Sequence, residues 1–136
     1  MKILVDTSVW IDFFNAVASP YRSCLRGLLE AEEDICISDL ILTEILQGFK
    51  FDKEFETAKN HLQAFPILGL NSPDSYIKAA YHYRLCRKHG ITIRKTVDCL
   101  IAQTAIEHGV ALLHKDKDFE LISSVSRLQI LTPSML

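Results

Sequence analysis

Four carboxylates stand where a purely structural role is strained: Asp6, Glu44, Asp98 and Asp116. Asp6 ends the apolar run Ile3-Leu4-Val5, and Asp116 follows Val110-Ala111-Leu112-Leu113 after His114 and Lys115. Glu44 is the only charge between Leu40 and Leu46, and Asp98 is flanked by Val97, Cys99, Leu100 and Ile101. A charged carboxylate held against a core costs free energy unless it is paired or binds a metal. Each acid also has an ordinary reading. Asp6, Thr7 or Ser8 can cap a helix. Glu44 fits the polar stripe of an amphipathic helix. Asp98 in a first helical turn complements the macrodipole, worth about 0.3–1 kcal/mol. Asp116 and Asp118 suit a turn. The joint reading differs. Carboxylates that converge repel one another unless cations lie between them. Oxygen-only ligands suit Mg²⁺ or Mn²⁺. Such a site activates water and stabilises a leaving oxygen, which is phosphodiester chemistry.

The elements must bring these acids together. Lys2 to Val5 reads as a strand buried on both faces, as parallel strands are. Ile35 to Ile37, Phe65 to Leu68, Val110 to Leu113 and Leu128 to Leu131 are further strands, with Pro66 placing the third at its start or at an edge. Helical spacing runs from Val9 to Phe14, Pro20 to Ala31, Leu40 to Phe49, Phe51 to Ala64, Asp74 to His89 and Val97 to His108, with a short helix around Phe119 to Ile122. Ser38-Asp39 looks like an N-cap, and Gly90 a C-terminal stop. In the fifth helix the spacing places Tyr76, Ala79, Ala80, Tyr83 and Cys86 inward. Strands alternating with helices give an α/β fold, a parallel sheet covered on both faces. Ligands bind outside the carboxyl ends of such strands. Asp6 and Asp116 then share that edge, and a helix following a strand begins there.

The 136 residues make one domain, 1–136, long enough for a core. A net charge of −2 does not advertise nucleic-acid binding in bulk. No apolar run is long enough for a bilayer and the N-terminus is no signal peptide, so a cytoplasmic protein without membrane attachment is expected. Cys24, Cys36, Cys86 and Cys99 are scattered and fit reduced thiols rather than a disulfide framework.

The segments Leu4 to Val9, Ser38 to Gly48, Gly90-Ile91 with Asp98 to Ala102, and Leu112 to Phe119 together resemble a PIN domain, specifically the VapC-type ribonuclease toxins. The resemblance covers essentially the whole chain. It implies a three-layer α/β/α sandwich with a five-stranded parallel sheet. It implies an endoribonuclease dependent on Mg²⁺ or Mn²⁺, acting on tRNA or ribosomal RNA. It further implies a homodimer and a cognate antitoxin that covers the acidic pocket. By position, Asp6, Glu44, Asp98 and Asp116 match the acidic quartet, with a supporting hydroxyl from Thr7 or Ser8. His114 stands where many relatives have Thr, which opens a substrate contact there. Asp118 is close enough to replace or assist Asp116.

Arg84, Arg87, Lys88, Arg94 and Lys95 lie in a stretch without acids just before Asp98. They suit either phosphate binding or a solvated helix end. His82, Cys86 and His89 share a helical face, where packing is favoured over a zinc site. Trp10, Phe13 and Phe14 read as core or dimer contacts before base-stacking surfaces. Two other functions compete with cleavage. One is a PIN-like module that binds RNA or protein without cutting. The other is a phosphoacceptor domain, which the lone acid after the first strand disfavours.

Overall fold

The computed structural model describes residues 2–135. Its centre is β1 (Lys2–Val5), whose Ile3, Leu4 and Val5 are fully buried. On one side β1 pairs in parallel with β2 (Asp34–Ser38), which pairs in turn with β3 (Ile67–Leu68). On the other side it pairs with β4 (Ala111–Leu113), which pairs with β5 (Ile130–Leu131). The order β3-β2-β1-β4-β5 is the five-stranded parallel sheet that the alternating pattern implied. The chain leaves β1 toward β2 and returns to its other side as β4. The crevice between β1 and β4 is therefore the switch point, where α/β sheets hold their ligands.

The helices are α1 (Thr7–Phe14), α2 (Pro20–Glu30), α3 (Asp39–Gln47), α4 (Asp52–Leu62), α5 (Pro73–Lys88), α6 (Thr96–His108) and α7 (Lys117–Val125). Their ends follow local chemistry. Ser19 and Ser38 cap α2 and α3 by accepting from the N–H groups of Arg22 and Ile41. Gly90, with φ +75°, ends α5: its N–H reaches the Arg87 carbonyl and that of Ile91 reaches Cys86, a Schellman closure.

Three expectations need correction. The α3 helix ends at Gln47 rather than Phe49. The third strand is only Ile67–Leu68, at the sheet edge, because Pro66 has no N–H to donate and offers only its carbonyl, to Ile37. In α5, Ala79 and Cys86 are buried and Tyr83 is half-buried, but Tyr76 and Ala80 face outward. That helix carries apolar residues all round, so spacing alone could not choose the inward stripe.

Trp10, Phe13, Phe14, Phe49 and Phe65 form a mutual ring cluster with His61 between α1, α3 and α4. Trp10 is fully buried, so these aromatics are packing and not an open base-stacking surface.

Candidate metal centre and active site

Asp6 comes directly after β1. Its N–H extends the β1–β4 ladder to the Leu113 carbonyl at 2.9 Å. Its side chain is also the N-cap of α1: Oδ2 accepts from the Ser8 N–H at 3.1 Å and from the Ser8 hydroxyl at 2.6 Å. Both hydrogen bonds from Ser8 fall on one oxygen, so capping does not occupy the whole carboxylate. Burial raises the Asp6 pKa, against the lowering effect of the Ser8 hydrogen bonds.

Asp98 lies in the first turn of α6 and is only 3% exposed. Its Oδ2 is buried with no hydrogen-bond partner. Its pKa is pushed up to about 7, first by burial and then by the charges of Asp116, Asp6 and Glu44, with Lys95 acting in the opposite direction. Asp116, Asp6 and Glu44 are therefore close enough for Asp98 to feel their charge. Among the described residues they share an electrostatic basin and do not close into a ready-made cage of three or more ligands.

Glu44 projects from α3 and is half-buried, not on a solvated stripe; its Oε1 accepts from the Thr7 hydroxyl at 2.9 Å. Asp116 is the N-cap of α7, accepting at Oδ1 from the Asp118 N–H at 3.0 Å and from Arg94 Nη2 at 3.1 Å. A common pattern emerges. Asp6, Glu44 and Asp116 each use one oxygen for a hydrogen bond within the chain, and Asp98 leaves Oδ2 without any. A divalent cation suits what remains: hard oxygen donors, one of them buried and unpartnered.

Asp118 is 2% exposed, and its Oδ2 accepts from the Arg94 backbone N–H and from Nε, both at 3.2 Å. Arg94 is thus drawn into the acids rather than left in the basic run, and they raise its pKa further. His114 is buried, not a surface contact for substrate: its Nε2 meets Glu120 Oε1 at 3.1 Å and its ring packs on Phe119 at 5.2 Å. His82 Nε2 meets Gln103 Oε1 at 2.6 Å and Cys86 is buried, so packing and not zinc explains that face.

One support was missed in the sequence. The Lys115 ammonium reaches buried Asp12 at 2.6 Å, Asp12 also accepts from Ser19, and the Lys115 N–H donates to the Ser8 hydroxyl oxygen at 3.2 Å. This chain of contacts ties the loop before α7 to the same serine that holds Asp6. The only hint of it in sequence is Asp12 between Ile11 and Phe13 on an otherwise apolar helix.

Comparison with known proteins matches this architecture. The PIN domain profile matches residues 3–124. Ribonuclease VapC11 of Mycobacterium tuberculosis is 37% identical over 128 residues, covering 93% of this chain and 96% of that protein. Among solved structures, VapBC2 from Rickettsia felis bound to a DNA fragment from its promoter aligns with a TM-score of 0.75 at 19% identity, covering 96% of this chain and 98% of that one. A toxin–antitoxin complex from Klebsiella pneumoniae aligns with a TM-score of 0.69 at 25% identity, covering 96% and 97%. The chain belongs to the PIN domain family, among the VapC ribonucleases.

Proposed function

We propose that this protein is a Mg²⁺- or Mn²⁺-dependent endoribonuclease, the toxin of a toxin–antitoxin pair, with Asp6, Glu44, Asp98 and Asp116 as its metal-binding acids. The observation that carries the reading is Asp98 Oδ2, buried and unpartnered beside three other acids at the switch point of the sheet. The 37% identity to a ribonuclease across nearly the whole chain supports RNA as the substrate class. The toxin–antitoxin complexes among the solved relatives support an antitoxin as partner. The homodimer rests on the family resemblance.

A divalent cation at such a site supplies a water that ionises near neutral pH and neutralises charge on the leaving oxygen. The chain's own residues do the placing. Ser8 fixes the Asp6 carboxylate through two hydrogen bonds to Oδ2. Thr7 fixes Glu44 through Oε1. The first turn of α6 presents Asp98 without any hydrogen bond to Oδ2. Attack of water on phosphorus with departure of the 3′-oxygen would leave a 5′-phosphate and a 3′-hydroxyl, and needs no side-chain nucleophile.

The test is cleavage of RNA by the purified protein with Mg²⁺ or Mn²⁺, with the new ends mapped. Asp98→Asn and Asp6→Asn should each lower the rate by a hundredfold or more while circular dichroism stays unchanged. Full activity in excess EDTA would overturn the reading. Metal binding without any cleavage would favour the non-cutting module instead.

A further inference from the structure

Arg94 precedes α6 and is 67% exposed along its side chain, yet it makes three polar contacts to two acids. Its backbone N–H and Nε both hold Asp118 Oδ2, while Nη2 holds Asp116 Oδ1. Asp118 is almost wholly buried, and its own N–H donates to that same Asp116 oxygen. The two acids are therefore unequal. Asp118 faces the arginine from inside the fold, whereas Asp116 is the one whose charge reaches Asp98.

We propose that Arg94 is a positioning residue for the metal site: anchored on buried Asp118, it holds Asp116 by one oxygen and leaves Oδ2 as that acid's single donor to a cation. Asp118 is on this account the anchor and not an alternative metal ligand. The inference rests on the proposed metal-dependent activity. Two opposed effects decide its sign. Arg94 is a positive charge beside a cation site, and charge alone would weaken metal binding. That repulsion is screened, because the guanidinium is largely in water. Ordering the carboxylate is the larger effect: losing a group that orients a metal ligand typically costs 10–100-fold in affinity. A planar fork bridging two carboxylates is also something lysine reproduces poorly.

The experiment is Mn²⁺ titration by calorimetry, with RNA cleavage across Mn²⁺ concentrations, for wild type, Arg94→Ala, Arg94→Lys, Asp116→Ala and the double variant Arg94→Ala/Asp116→Ala. Arg94→Ala should weaken Mn²⁺ binding by about tenfold and raise the Mn²⁺ needed for half-maximal cleavage by a similar factor, with KM for RNA little changed. Arg94→Lys should recover only part of the loss. In the double variant, loss of Arg94 should add little to loss of Asp116, because without that carboxylate the arginine has no metal donor to position. Tighter Mn²⁺ binding in Arg94→Ala would make the arginine a mere competing charge and overturn the proposal. So would losses that simply add, or a raised KM with unchanged metal affinity, which would place Arg94 on the RNA. Absence of Mn²⁺ binding and cleavage in wild type would overturn the proposed function itself; an Arg94→Ala variant that matches an active wild type overturns only the positioning role.

Discussion

At the scale of single residues, Asp98 sets a conflict between stability and binding. Its pKa in the fold is about 7, against an ordinary 3.8. The native state therefore holds a proton that the unfolded chain releases between those values, so without metal, stability falls as pH rises through that window and levels off above about 7. Denaturant titration in EDTA should find the protein less stable at pH 8 than at pH 5, by on the order of 2 kcal/mol. Asp98→Asn should be the more stable protein at pH 8 and should flatten that dependence, while losing Mn²⁺ affinity. A variant that stays as pH-sensitive as wild type would refute this. The acids were legible in sequence because Asp6 and Asp116 follow apolar strand runs while Glu44 and Asp98 interrupt apolar helical ones. Their partners were not. Arg94 and Lys115 look in sequence like ordinary solvated cations, and the Lys115–Asp12 pair joins residues far apart in the chain. His114 looked available to substrate because nothing in its neighbours reveals that Phe119 and Glu120 enclose it.

At the scale of elements, the loop between β4 and α7 is fastened to α1 by Lys115, with its side chain about one-third exposed over buried Asp12. Lys115→Met should destabilise the fold by about 1–3 kcal/mol in chemical denaturation, chiefly because the Asp12 carboxylate is left buried without its cation. Exposed pairs such as Arg26–Glu30 should be worth far less, roughly 0–1 kcal/mol. At the end of α5, Arg87 stacks over Tyr83 at 5.7 Å and Lys88 is exposed, so with Arg94 taken these two are among the cations of that run left for phosphates, beside Arg84 and Lys95. Replacing both with Ala should raise KM for RNA several-fold and shallow its salt dependence without moving kcat, as steady-state kinetics at two ionic strengths would show. Strands and helices were legible because β-branched runs and capping residues are local signals. The inward face of α5 was not, because Tyr76, Ile77, Tyr81 and Leu85 give it apolar residues that remain exposed.

At the scale of the molecule, a cation that binds only the folded chain adds stability through mass action, about 2.7 kcal/mol at a hundred times its Kd. Thermal melts should therefore shift upward with Mn²⁺ in wild type and stay put in Asp98→Asn, whatever the RNA target. The core beneath the site is continuous: Leu4, Ile37, Ile101, Leu112 and Leu113 are fully buried among β1, β2, β4 and α6. This was the most legible level, since alternating apolar strands and helices leave few topologies once crossovers are right-handed. Placing β1 between β2 and β4 has a consequence in time as well as in space. As the chain is synthesised, Ile3 and Leu4 can pair with Ile35 and Cys36 early, but their second neighbours, Ala111 and Leu112, follow more than seventy residues later. Asp6 gains its bond to Leu113, and Ser8 its bond to Lys115, only then. The acids are thus scattered along the sequence and gather only when β4 docks beside β1, so the site and the closed sheet form in one step.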